Sequence, residues 1–366
     1  MKLTRRDVLK TGGAVSAMAM MPSWPARADF APQPGTWRKF EIFTRVNIAN
    51  APGSAQAWIP LPAFSSPDWF KPEGSTWQTN AKFAEIGKDP NSDAQFLHVI
   101  WAEGESAPVI EVKSAFATQS RAVDLDKPLG KHVLSDAERK INLGPTDLIP
   151  TDGIVKQTSD KITAGAKDDI GKARLIYEWI VENCYRDPKT KGCGIGDVAS
   201  LLKSGNLGGK CADLNALYVG LARAAGLPAR DLYGLRVVPS AFGYKSLGAK
   251  NEVVTKAQHC RAEVFLADFG WVPVDPADVR KVVLEEPPGN LAITDEKVVA
   301  ARKTLFGAWE GNWLAYNSAH DVSLPGSTGP KVGFLMYPQA EVGGIRLDSL
   351  DPDAFKYAIT AREITS

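Results

Sequence analysis

The stretch Asn206–Arg230, NLGGKCADLNALYVGLARAAGLPAR, places two glycines and a lysine before a cysteine that opens an alanine- and leucine-rich run. The chain has 366 residues and four cysteines. Gly226 followed by Pro228 ends the run as a C-terminal glycine and a nearby proline end a helix. Gly208 and Gly209 let the backbone turn sharply just ahead of it. Cys211 is thus expected at a helix N-terminus, where unpaired N–H groups and the positive end of the dipole favour a thiolate. Asp213, in the first turn, reads as a cap or dipole partner.

Working outward, Ile170, Ala173, Ile176, Tyr177, Ile180, Val181 and Cys184 recur at three- and four-residue steps and predict an amphipathic helix from Asp168 to about Tyr185. A short helix over Asp197–Lys203 comes next. Beyond Arg230 the pattern turns to strands at Asp231–Val238, Gln258–Leu266 and Gly270–Val274. A helix followed by antiparallel strands points to an α+β core over residues 125–288. Upstream, residues 29–124 read as a sandwich-like β domain with strands at Phe40–Ile48, Ala57–Pro62, Gln95–Trp101 and Pro108–Thr118. Its tryptophans Trp37, Trp58, Trp69 and Trp77 are expected in the core or at a cleft rim. Downstream, residues 289–366 read as a third region packing on the core, with a helix at Asp295–Leu305 and strands at Val332–Met336 and Phe355–Ala361.

A thiol near its ordinary pKa of about 8.5 is a weak nucleophile at neutral pH and needs a base. Among four histidines, His259 stands out. In the strand Gln258–Leu266 it shares a polar face with Arg261 and Glu263, opposite Cys260, Ala262, Val264 and Leu266. Pairing Val264 with Gly270, Ala262 with Val272 and Cys260 with Val274 sets His259 directly across from Asp275. A two-residue shift keeps the faces but separates the pair. Each residue alone is more often a packing, surface or turn residue. Together, in this order on these elements, Cys211, His259 and Asp275 point to a thiol triad: nucleophile, proton carrier and orienting carboxylate. The Cys211 N–H is one oxyanion donor, and the sequence identifies no second.

The segments Gly209-Lys210-Cys211-Ala212-Asp213, Leu221–Arg230, His259 with Ala262-Glu263-Val264, and Gly270–Pro276 resemble the core of bacterial transglutaminase-like proteins over roughly residues 165–280. The resemblance implies a papain-type fold and a Cys-His-Asp set at Cys211, His259 and Asp275. It leaves the reaction open, since relatives include acyl transferases, peptidases and members without enzymatic role. The β-rich N-terminal region resembles domains that precede such cores.

Other features are weaker. Trp313, Asn317, His320 and Asp321 could line a cleft or supply a second His–Asp pair, although a packed helix or loop end explains them as well. Cys184 can bridge Cys193 across a ten-residue loop, Cys193 can equally bridge Cys260, or all can be reduced. Cys260, facing away from His259, is expected in the core. Zinc at Cys184, Cys193, Cys211 and His259 fits no usual ligand spacing, so neither a metal nor a cofactor is expected.

Residues 1–28 carry Thr4-Arg5-Arg6-Asp7-Val8-Leu9-Lys10, an uncharged stretch too short to span a bilayer, and Ala26-Arg27-Ala28. They read as a cleaved twin-arginine signal, hence a periplasmic or otherwise exported protein with no membrane span in its mature chain. The leader holds +4 of the formal net charge of +1, leaving −3 on the remaining 338 residues. That balance argues against nucleic acid as a partner. The expected function is cysteine-dependent attack on a peptide or protein amide, by hydrolysis or by acyl transfer to an amine. The rivals are a non-catalytic peptide-binding or scaffold protein of the same fold, and a redox or metal-binding thiol protein.

Overall fold

The structure is a computed structural model that describes residues 30–48, 53–351, 353 and 355–364. The leader therefore lies outside the described residues. In the N-terminal region, β1 (Arg38–Asn47), β2 (Ala55–Leu61), β3 (Phe70–Thr79), β4 (Phe83–Lys88), β5 (Gln95–Ile100), β6 (Val109–Thr118) and the two-residue β7 (Arg121–Ala122) follow one another. The core then runs α1 (Asp136–Leu143), α2 (Gly153–Thr163), α3 (Asp169–Asn183), β8 (Tyr185–Arg186), α4 (Val198–Ser204), β9 (Gly208–Gly209) and α5 (Cys211–Ala224). It continues with β10 (Ala229–Arg236), β11 (Gln258–Leu266), β12 (Gly270–Val274), α6 (Pro276–Glu285) and α7 (Glu296–Thr304). Last come β13 (Ala308–Trp309), β14 (Trp313–Asn317), β15 (Gln339–Val342), β16 (Ile345–Arg346) and β17 (Lys356–Ile364).

The N-terminal region is a sandwich of two antiparallel sheets, β17-β1-β6-β3 and β16-β15-β2-β5-β4. Alternation along the strands aims Val46, Ile110 and Val112 of one sheet at Ala57, Ile59, Leu97 and Val99 of the other, and a separate apolar core forms between them. Trp58 and Trp69 are buried, as expected. The end of the chain does not simply pack on the core. β14 joins the central sheet, whereas β15, β16 and β17 complete the two N-terminal sheets. β17 pairs with β1 over nine residues and covers an edge that would otherwise leave its N–H and C=O groups unpaired. No strand forms at Val332–Met336. There Val332 makes an isolated bridge to Val322, and the Leu335 carbonyl accepts from the Asn317 side chain.

The central sheet, β12-β11-β10-β14, is antiparallel throughout. Helix α5 lies against β11 with α2, α3 and α6 around it. Every residue of α5 except Asp213 is buried, which explains why its sequence is apolar all round rather than on one stripe. The sheet and helix share one continuous core with Phe40, Phe70 and Phe116 of the sandwich, so the site sits on a rigid base.

Candidate active site

Asp213 fixes the start of α5. Its Oδ2 accepts the Lys210 N–H at 2.9 Å, and its Oδ1 accepts those of Ile195 and Gly196 at 3.0 and 2.9 Å. One carboxylate thereby ties the glycine loop 192–196 to the helix tip, in the cap role read from its position. The fit requires glycine: a Cβ on Gly194, at φ +94°, would lie 1.8 Å from Asp213 Oδ2. With the loop in place, the Cys193 carbonyl accepts the Ala212 N–H at 2.9 Å. Among the described residues, the neighbouring Cys211 N–H meets no acceptor.

Cys211 and His259 both line a cleft of about 750 Å³. The hairpin that brings in Asp275 has the shifted register: Leu266 pairs with Gly270, Val264 with Val272 and Ala262 with Val274. The expected direct opposition of His259 and Asp275 is therefore absent. The two groups meet all the same, with His259 Nε2 2.7 Å from Asp275 Oδ2. Asp275 is not a strand residue but the N-cap of α6, with ψ 73°, ahead of a proline at the first helical position. The chain turns there, and the carboxylate reaches back diagonally across the hairpin to the histidine.

Asp275 is held at both oxygens. Oδ1 accepts the Asp278 N–H at 3.0 Å as a helix cap, and the Asn215 amide nitrogen lies 3.2 Å away. Asn215 stands one turn after Cys211 and also donates to the Cys260 carbonyl at 2.8 Å, so it links the helix, the strand and the acid. A second carboxylate, Asp278, approaches His259 Nε2 to 3.4 Å and takes both its oxygens to Arg236 at 2.6 and 2.7 Å. Behind the histidine, the Trp313 indole N–H donates to the His259 carbonyl at 3.0 Å. Gly234, opposite His259 in β10, makes room for it, since a Cβ there would fall 2.4 Å from the Trp313 ring. Arg261 lies between Trp309 and Trp313, with its Nε 3.9 Å from Asp275 Oδ2.

The electrostatics follow from this packing. Burial and the Arg236 guanidinium oppose a charge on His259, but Asp278 and Asp275 outweigh them and raise its pKa to about 9. Because Nε2 is taken by carboxylates, its proton is assigned there, and Nδ1 is the nitrogen left for sulfur. Hydrogen bonds from Cys193 and Cys260, against burial and together with the hydrogen bond and charge of His259, hold the Cys211 thiol well below its ordinary range. Burial pushes Cys184 up to about 12. The arrangement favours a thiolate–imidazolium pair at the cleft, which is a nucleophile beside a proton donor.

All four cysteines are free, so neither bridge considered from the sequence forms. The sulfurs of Cys193, Cys211 and Cys260 lie within 4.8 Å of one another, whereas Cys184 is not part of the group. Cys260 is buried as expected, but it borders the site instead of standing apart from it. The second constellation dissolves: Trp313 and Asn317 are strand residues of β14. His320 faces Asp231 at 3.4 Å, and Asp321 accepts the Asp147 N–H instead.

Asn215, Arg236 and Asp278 are the residues that sequence reasoning missed. A lone amide in an otherwise apolar helix, and the spacing Asp275-Pro276-Ala277-Asp278 as a helix start, were the available signals.

A model of the transglutaminase-like superfamily core matches residues 156–276, the segment that carries Cys211, Asn215, Arg236, His259 and Asp275. A protein of Haemophilus influenzae is 36% identical over 331 residues, covering 85% of this chain and 87% of its own. The chain belongs to the transglutaminase-like superfamily. A solved structure from Cytophaga hutchinsonii, described as a "Putative Cysteine Protease", superposes with a TM-score of 0.50 at 15% identity, covering 90% of this chain and 99% of that one. That likeness extends the shared fold to the sandwich as well as the core. Among the described residues, no helix is long and apolar enough to cross a membrane.

Proposed function

We propose that this transglutaminase-like protein is an exported enzyme that opens amide bonds through Cys211. The observation that carries the reading is the 2.7 Å bond from His259 to Asp275 in the cleft that Cys211 opens onto. The Cys211 thiolate attacks the amide carbonyl carbon, and the resulting oxyanion sits at the Cys211 N–H on the tip of α5. His259 passes its proton to the departing amine, leaving a thioester on Cys211. Water, or a second amine deprotonated by His259, then releases the acyl group and restores the thiolate and imidazolium. Asp275 orients the ring throughout. Hydrolysis is the favoured outcome, because water needs no second binding site.

The twin-arginine leader supports export, and fractionation of cells producing the full chain tests it. The chemistry is tested by mass spectrometry of the protein treated with a thiol-directed electrophile and with an activated amide substrate. A stable adduct and a transient acyl adduct, both mapping to Cys211 and both lost in Cys211→Ala, are expected. Amide turnover that survives in Cys211→Ala refutes the mechanism, and a wild-type protein that forms neither adduct favours the non-catalytic binding protein.

A further inference from the structure

The sign of charge around the cleft is one-sided. Arg186, Lys191, Lys250, Lys256, Lys281 and Lys356 all line it, on top of the buried Arg236. Glu285 is the one carboxylate among the lining residues. It is already shared, forming an ion pair with Arg186 and lying 3.8 Å from Lys281. Asp278 neutralises Arg236. Lys191, Lys250, Lys256 and Lys356 are exposed and have no acidic partner among the described residues. This excess runs against the balance of the chain, which is −3 outside the leader.

Crowding of like charge is visible in one member. Burial and the adjacent Arg236, with Arg186 also contributing, lower Lys281 to about 8 despite Asp278 and Glu285. An ammonium ion in such surroundings gains from any anion that reaches it. Walls of low dielectric concentrate the field of the four unpaired lysines in the cleft and enrich it in negatively charged ligands.

We infer that the substrates are acidic peptides, with carboxylates flanking the amide presented to Cys211. The inference rests on the amide chemistry proposed above and adds the class of donor. The cations come from separate segments: Arg186 and Lys191 follow α3, Lys250 and Lys256 lie in the loop before β11, Lys281 is on α6 and Lys356 is on β17. They reach one cleft from several segments instead of forming a stripe on one element, which suits carboxylates on both sides of a scissile bond. Tyr337, Phe355 and Tyr357 supply an apolar wall for the intervening residues.

Three peptidyl electrophiles sharing one warhead, with flanks of aspartate and glutamate, of serine and glycine, or of lysine, test this. The readout is the second-order rate of Cys211 labelling. At low ionic strength the acidic probe is expected to react at least tenfold faster than the lysine probe. The ratio should shrink as salt cuts the Debye length from about 30 Å at 0.01 M to about 3 Å at 1 M. The double variant Lys250→Glu/Lys256→Glu should lower the ratio several-fold. Fluorescence anisotropy with a labelled acidic peptide on Cys211→Ala provides an arm that needs no chemistry, and there the acidic peptide should bind tighter than the neutral one. Equal rates for the three probes, or preference for the lysine probe, overturns the inference and leaves the amide chemistry standing. Labelling by none of the probes refutes the amide chemistry, and the anisotropy arm then decides the inference alone. Single-stranded DNA or inorganic phosphate that displaces the acidic peptide at lower concentration than an unlabelled copy also overturns it.

Discussion

Replacing Asp278 by asparagine should lower the titration of His259 further than any other single change outside the Cys-His-Asp set. His259 is held at about 9 against an ordinary 6.5, a gap of about 2.5 pH units or about 3 kcal/mol in favour of the charged ring. Burial and Arg236 oppose the charged ring, and the charge of Asp278 is the largest single cause that favours it, followed by the charge and hydrogen bond of Asp275. Asp278→Asn removes the negative charge 3.4 Å from Nε2 and leaves the Arg236 charge unneutralised beside it. The balance then reverses, and the midpoint is expected below 6.5. At pH 7.5 the ring would fall from about 97% charged to less than about 10%. The assay is long-range proton–nitrogen NMR of the imidazole rings, which reports charge and tautomer together. With only four histidines in the chain, the His259 signal is assigned by its loss in His259→Asn. A midpoint near 9 that persists in Asp278→Asn would refute the reasoning, as would a wild-type midpoint near 6.5. Should the unpaired Arg236 prevent folding, the Arg236→Met/Asp278→Asn variant removes both buried charges and is expected to titrate below Arg236→Met alone.

Two further outcomes follow from the packing around the histidine. Gly234→Ala places a Cβ 1.9 Å from the Leu314 carbonyl, so β10 and β14 must separate; about 3 kcal/mol of stability should be lost in urea denaturation, and an unchanged midpoint would contradict the close approach. Asn215→Ala strips one donor from Asp275 and leaves the buried Cys260 carbonyl unpaired, at a cost of about 1–3 kcal/mol. Labelling of Cys211 should slow in the same variant, and wild-type labelling together with wild-type stability would show that the bridge carries nothing.

The setting of Cys211 was legible in the sequence because glycines, a helix start and a glycine–proline stop are local signals, and α5 forms where they place it. His259 was legible as the polar residue of an alternating strand. Its meeting with Asp275 was reached through the wrong register, because pairing Val264 with Gly270 made the hairpin loop two residues too long and carried the pairing on to Asp275, where α6 begins. That same misreading hid Asp278, which lies on the helix rather than on any strand. Arg236 and Asn215 escaped because their partners are remote in sequence, at Asp278 and Asp275. β3 and β4 were missed in the sandwich, since both are largely exposed and the apolar alternation that marks a strand is weak in them. The membership of β15, β16 and β17 in the N-terminal sheets depends on pairing across most of the chain, which no local pattern encodes.

The return of β17 to the N-terminal sandwich has a consequence for the order in which the protein becomes competent. The Ile359 carbonyl accepts the Val254 N–H, the Ile359 N–H donates to Thr255 Oγ1, and the Ala361 N–H reaches the Glu252 carbonyl. Residues 252–255 therefore take their positions from β17, and Phe355, Lys356 and Tyr357 are themselves part of the wall. On the ribosome, a chain that has already produced the cysteine, the histidine and the aspartate still has an unfinished trough. A polypeptide that stopped before Phe355 would hold Cys211, His259 and Asp275 and lack the surface that completes the cleft around them.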